Sequence, residues 1–208
     1  LQPLRLPYRA VLLMRLILAS QSPSRAAILR GAGVEPVLEP ADIDERSLEA
    51  SLAGHPPADI VAALATAKAE KVAARYPTEP VIGGDSMLLL DGELQGKPHT
   101  EEATIERWHQ QAGRTAELLT GHCLIFGDKR HVETSTTTVH FAHASEADIA
   151  AYAHSGEPLH CAGAFTLEAM GGWFIDRIEG DPSSVIGLSL PVVRRALYAF
   201  DLNVSDFW

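Results

Sequence analysis

The sequence predicts a mixed α/β fold in one domain, with two lobes around a cleft. Near its start, the apolar run at residues 15–19 (RLILA) passes straight into Ser20-Gln21-Ser22-Pro23-Ser24-Arg25 and then AAILRGAG. That pattern is a buried strand, a Ser-rich turn and a helix, with Ser22 as N-cap, Pro23 at the first helical position and Gly31 or Gly33 as the stop. Farther on, the stretch at residues 81–98 (VIGGDSMLLLDGELQGKP) holds two apolar runs, and the second closes on Asp91-Gly92, a hairpin signal. Between and beyond these, apolar strand-like runs alternate with helical stretches, the pattern of an α/β chain.

Along the rest of the chain, Val37-Leu38 reads as a short strand, and the acidic cluster at residues 42–46 reads as a solvated loop. Gly54-His55-Pro56-Pro57 breaks the chain before an alanine-rich helix at residues 58–75. Ile60, Leu64 and Val72 mark the buried face of that helix. Lys68 lies one turn beyond Leu64 on the same side, so it either snorkels to the rim or reaches into a site. Residues 100–112 form a helix with an acidic first turn, ended by Gly113. Two strands, at residues 118–126 and 132–141, flank a hairpin at Gly127-Asp128. Ser145 caps a helix that runs to about His154. Residues 156–187 alternate short apolar runs with glycines, Asp181-Pro182-Ser183-Ser184 reads as a turn, and Pro191 starts a terminal helix.

Composition narrows the function. Twenty-seven acidic against 17 basic residues give a formal net charge of −10 over 208 residues, a balance that disfavours nucleic-acid polymers and anionic membranes. It leaves room for a small anionic ligand held with its metal. Cys123 and Cys161 have no CxxC spacing, so neither a disulfide framework nor a zinc site is signalled, and a reducing cytoplasm is the expected setting. The apolar residues before position 20 are split by Arg15 and are too short to span a membrane. Residues 1–13 precede Met14 and are set aside as an N-terminal extension, leaving residues 14–208 as the single domain. There is no Walker A sequence, no GxSxG elbow and no HExxH spacing. His55, His109 and His122 read as surface or satisfied core histidines.

The chemistry concentrates at residues 81–98. Asp85 is expected just past the end of a strand, beside Gly83 and Gly84, and Lys97 on a Gly/Pro-constrained loop beyond the hairpin. Open α/β sheets bind ligands at such strand ends. A carboxylate and a lysine there suit a metal–phosphate substrate, the acid holding the cation and the lysine meeting phosphate oxygen. The plain alternative is a solvated Asp and a surface Lys. A second anion site is expected where the helix after Ser22 begins, with hydroxyls and Arg25 beside free backbone N–H groups.

Taken together the motifs resemble the Maf-like nucleoside triphosphate pyrophosphatases. LILASQSPSR at residues 16–25, Asp44-Glu45, ATAKA with Lys68, GGDS at residues 83–86, Gly96-Lys97-Pro98, the segment from Glu157 to Ala164 with Glu168, and VIGLSLP at residues 185–191 occur in the family's order. The resemblance spans nearly the whole chain. Two departures stand out: Ser24 replaces the family's first motif arginine, and His160-Cys161 replaces a common Asp-Lys pair. PLHCAG with Glu168 is similar to the branch that acts on 7-methyl-GTP.

The resemblance implies a long, twisted mixed sheet of the inosine-triphosphate-pyrophosphatase type, a divalent cation (Mg²⁺ or Mn²⁺), a cytoplasmic homodimer, and cleavage of a nucleoside triphosphate between its α and β phosphates. Asp85 and Glu45 are then expected to hold the metal, with Asp85 as general base and Lys97 completing the catalytic set. Ser20, Ser22, Arg25 and Lys68 are expected to hold the triphosphate, and Glu168 to add either a contact behind the metal ligands or a nucleobase contact. A non-catalytic nucleotide-binding regulator of septum formation is the competing reading.

Overall fold

The computed structural model describes residues 14–208; the reading of residues 1–13 as an extension lies outside the described residues. The first half holds β1 (Ile17–Leu18), α1 (Pro23–Gly31), β2 (Val37–Leu38), α2 (Glu45–Ser51), α3 (Pro57–Ala73), β3 (Val81–Leu90), β4 (Glu93–Gln95) and α4 (Glu101–Gln111). The second half holds β5 (Thr115–Phe126), β6 (Lys129–Phe141), α5 (Glu146–His154), β7 (Ile175–Glu179), α6 (Pro182–Ile186) and α7 (Leu190–Ala199). The expected mixed α/β fold is borne out: β2-β1-β3 run parallel, and β3, β5, β6 and β7 are antiparallel neighbours in one mixed sheet. Among the described residues no helix is long and apolar enough to cross a membrane.

Local signals set the ends of many elements. Ser22, Thr100 and Ser145 cap α1, α4 and α5, each side-chain oxygen accepting a backbone N–H three residues on. Asp91 and Gly92 both take positive φ (54° and 83°), as a two-residue hairpin requires, and β3 pairs antiparallel with β4 beyond them. Two local expectations are corrected. The acidic cluster is no loose loop: Asp44 caps α2, accepting from Ser47 N–H at 3.0 Å. Residues 181–184 are not a simple turn, because Asp181 likewise caps α6.

Long strands join two cores. Leu16, Leu18, Leu29, Ile82, Leu124 and Leu197 cluster at one end of the sheet; Leu88, Leu118, Trp108, Val139 and Phe141 cluster at the other. Trp108 is fully buried, stacks edge-on against Phe141, Tyr152 and Phe174, and donates its indole N–H to the Ala164 carbonyl at 2.8 Å. The strands β3 and β5 contribute to both clusters, so they tie the lobes together.

The site is made by a gap in this sheet. β5 pairs with β3 along residues 81–89 on one edge. On the other edge β1 takes only Val81 and Ile82, and β4 only Leu88 to Leu90. Residues 83–87 therefore have no strand partner on that side, and the cleft opens there. Asp85 accordingly sits in mid-strand and not beyond a strand end.

The helix α3 crosses the back of the gap, made possible by a missing side chain. A Cβ on Gly83 would lie 2.7 Å from Ala69 N and closer still to the Ala65 carbonyl oxygen, both backbone atoms of α3. Gly83→Ala is expected to push α3 off the sheet and lower Tm by roughly 5–10 °C, as overpacking against unyielding backbone does. Thermal melts of the variant check this; an unchanged Tm would show that α3 rides over the strand without needing the glycine.

Candidate active site

Residues from both halves of the chain line a cleft of about 540 Å³. Its floor is a charged chain. The Lys68 ammonium, delivered by α3 and 8% exposed, donates to Asp85 Oδ1 at 2.8 Å and lies 2.9 Å from Glu45 Oε2 on α2. The lysine therefore reaches into the site and does not snorkel out of it. The second Asp85 oxygen, Oδ2, is buried and has no hydrogen-bond partner, and Asp85 itself lines the cleft. A buried carboxylate oxygen left unpaired is costly, and such atoms mark places where a ligand or ion belongs.

Arg25 forms the adjacent wall. It is buried, and its guanidinium spans three elements: Nε donates to the Gly187 carbonyl at 2.7 Å, Nη1 to Ser20 Oγ at 3.3 Å and Nη2 to Ser86 Oγ at 3.1 Å. Gly84 leaves room for it, since a Cβ there would come within 3.1 Å of Arg25 Nε. Burial pulls the guanidinium below its ordinary pKa, opposed by Asp85 and Glu45; an arginine nonetheless stays charged across the working pH range.

The structure gathers Asp85, Glu45, Lys68, Lys97, Arg25, Ser22 and Glu168 around one cleft. The two serines also have roles within the fold. Ser22 Oγ caps α1, accepting from Arg25 N–H at 3.4 Å, and keeps its own O–H to donate. Ser20 is buried behind the wall, where its Oγ takes Ser22 N–H at 3.1 Å and one arm of Arg25. Its hydroxyl thus orients the arginine. Sequence reasoning passed over Ser86 and Gly187, both of which hold Arg25, and Arg46 and Glu49, which also line the cleft. The i, i+4 spacing of Glu45 and Glu49 on one helix was an available signal.

The far wall is built from residues 160–168. Cys161 donates its S–H to the Glu157 carbonyl at 3.4 Å, and burial, then Glu168 and Glu157, push its thiol up to about 11, so it stays protonated near neutrality. Burial and Lys97 pull His99 down. Phe165 borders the cleft but is 4% exposed and packs edge-on against Phe141 in the core, and Trp173 is 87% exposed and outside the cleft. His122 is a satisfied core histidine, accepting Ser189 N–H at 2.8 Å; burial lowers its pKa to about 4.

Two carboxylates on the cleft, Asp85 and Glu45, supply hard oxygen ligands, and Asp85 Oδ2 has no hydrogen-bond partner. No group of three or more His, Cys, Asp or Glu side chains among the described residues could hold a metal alone. That donor set fits Mg²⁺ or Mn²⁺, which take one or two carboxylates and complete their shell with water and substrate phosphate.

Comparison with known proteins gives a consistent answer. A protein of Corynebacterium aurimucosum named nucleoside triphosphate pyrophosphatase is 75% identical over 195 residues, covering 94% of this chain and 98% of the relative. A protein of the same name from Nocardia farcinica is 52% identical over 203 residues, covering 93% and 96%. Among solved structures, the Staphylococcus aureus Ham1 protein matches with a TM-score of 0.43 and 18% identity over 62% of this chain and 73% of its own; the fold assignment rests on the sheet itself. The family model described as Maf-like protein matches residues 15–200. The ordered motifs, the cleft they share and this match agree: the chain belongs to the Maf-like protein family.

Proposed function

We propose that the chain hydrolyses nucleoside triphosphates between the α and β phosphates, releasing a nucleoside monophosphate and pyrophosphate. The observation that carries the reading is the Glu45–Lys68–Asp85 chain with Asp85 Oδ2 unpartnered on a cleft that also holds Arg25 and Lys97. A water oxygen bonds to the α-phosphorus while the bond from that phosphorus to the bridging oxygen breaks. Asp85 Oδ2 takes the water's proton, and Lys68 keeps Oδ1 oriented. The electron pair leaves with pyrophosphate, whose growing charge meets Lys97, Arg25 and Lys68. Asp85 and Glu45 would hold a divalent cation, which when bound supplies further neutralisation of phosphate charge. From the family come also a homodimer, a cytoplasmic setting and a role in restraining cell division, all part of this proposal.

The preferred substrate in this reading is a purine nucleotide, 7-methyl-GTP before dTTP and UTP. Glu168 offers an acceptor to the guanine N1–H and N2–H₂ edge and a negative charge to a positively charged methylated ring. The Cys161 S–H, spent on a carbonyl, is a weak donor where a lysine would serve a pyrimidine carbonyl. The test is phosphate release with added inorganic pyrophosphatase, comparing kcat/KM for 7-methyl-GTP, GTP, dTTP and UTP. A preference of at least about tenfold for 7-methyl-GTP over the pyrimidines is expected. A better rate with dTTP or UTP would overturn the base assignment, and tight binding without any turnover would overturn the enzyme reading in favour of a nucleotide-binding regulator.

A further inference from the structure

The wall that carries Glu168 has little regular structure: short 3₁₀ turns at Glu157–His160, Ala162–Ala164 and Met170–Phe174, joined by loop. Such a segment needs something to hold it. One half-buried carboxylate does so. Glu157 Oε1 accepts from Tyr152 Oη at 3.1 Å, from Gly171 N–H at 3.1 Å and from the Thr166 hydroxyl; Oε2 accepts from Met170 N–H at 3.2 Å. Tyr152 Oη in turn accepts Thr166 N–H at 3.1 Å. The network thus grips the chain at residue 166 and again at residues 170 and 171, on either side of Glu168. Glu157 itself does not line the cleft.

Two features show that the grip is built to one shape. Tyr152 comes from α5, is 2% exposed, and its ring packs against Trp108 and Phe174, so the loop is pinned to the rigid core. At Gly171 a Cβ would lie 2.5 Å from Tyr152 Oη and 2.6 Å from Thr166 N, so only glycine lets the loop close this tightly. Burial pushes the Glu157 pKa up, but the hydrogen bonds from Thr166, Gly171, Met170 and Tyr152 together outweigh it and hold the group below the usual carboxylate value, in its accepting form.

We propose that Glu157 is a positioning residue for nucleobase discrimination: it closes residues 166–171 into a fixed loop and so presents Glu168 to the base. This rests on the reading of Glu168 as the base contact. Asp85, Lys68 and Arg25 stand on other elements, so loosening the loop costs orientation of the base and leaves the phosphate chemistry in place. The signature is a split between KM and kcat, with specificity lost.

The test compares Glu157→Gln with Glu168→Gln, measuring kcat, KM and Tm with 7-methyl-GTP and UTP. The Gln amide keeps the size of the carboxylate and its carbonyl can take the Oε1 donors, but its NH₂ then faces the Met170 N–H where Oε2 accepted it. For Glu157→Gln we expect kcat for 7-methyl-GTP within about threefold of the parent, KM raised about tenfold, and the 7-methyl-GTP/UTP ratio of kcat/KM reduced about tenfold. Should Glu157→Gln fail to fold, Tyr152→Phe removes one donor and one acceptor of the same network, keeps the buried ring, and is expected to lower the ratio too. A ratio unmoved by Glu157→Gln or Tyr152→Phe, with only Tm reduced, would overturn the proposal and leave Glu157 a purely structural anchor. A ratio moved by Glu157→Gln but not by Glu168→Gln would overturn the claim that Glu157 acts by presenting Glu168, while pyrophosphate release by both variants would leave the hydrolase reading standing, so the two readings fail separately.

Discussion

Asp85→Asn is expected to lower kcat by ~10²–10⁴-fold while the protein stays folded, the usual cost of losing a positioned general base. Asn has nearly the same shape and can sit in the same place on β3, between the strand's partner β5 and the Lys68 ammonium. Its side chain, however, cannot take a proton from water at neutral pH. Breaking a buried ion pair ordinarily destabilises, because the remaining charge is stranded. Here Lys68 keeps a second carboxylate, Glu45, at 2.9 Å, so it is not stranded. The effect should therefore fall on turnover and not on Tm. Pyrophosphate release and a thermal melt on the same preparation check both halves; near-parental hydrolysis by Asp85→Asn would remove Asp85 from its assigned role.

Withdrawing divalent cations is expected to abolish turnover outright and restoring Mg²⁺ or Mn²⁺ to recover it. Charge balance in the cleft is the reason. Four cations (Arg25, Arg46, Lys68 and Lys97) share the cleft with four carboxylates (Glu45, Glu49, Asp85 and Glu168), so the side chains are close to neutral as a set. Lys68 is already engaged by two of those carboxylates. A triphosphate brings several negative charges into this space, and like charges in a partly dry cleft repel strongly. A hard cation on Asp85 and Glu45 would offset them. The check is turnover in excess chelator, then metal titration back into the same sample. Full activity in chelator would show that the protein's own cations suffice.

Some of this was legible in the sequence because it is local. Ser22, Thr100 and Ser145 cap helices through backbone groups three residues away, and Asp91-Gly92 makes a hairpin from its own φ angles. Interactions of that range are written in neighbouring letters, and so is an ordered run of motifs, which is why fold class and family could be read from the letters alone. Where the local signal was short it misled: Asp181 and Asp44 looked like loop residues, because a capping acid differs from a solvated one only in the backbone N–H that folding brings to its carboxylate.

What the tertiary structure alone decided lies in contacts between distant parts of the chain. The gap at residues 83–87 exists because β1 and β4, far apart in sequence, pair with the same edge of β3 and stop short of each other. No property of VIGGDSMLLL announces this, since strand pairing is set by the partners and not by the strand. The same holds for Arg25, which a local reading offers whole to phosphate but which is buried and spends its Nε on Gly187, 162 residues away, so that only its Nη groups keep N–H bonds to give. Glu157 shows the principle again: a motif glutamate in sequence, it becomes the anchor of the loop at residues 166–171 only when folding brings Tyr152, Thr166 and Gly171 around one carboxylate. The residue types and their order fixed which chemistry was possible; long-range pairing and burial decided which atoms remained free to perform it, because a polar group taken up in the fold no longer has that hydrogen bond to give a substrate.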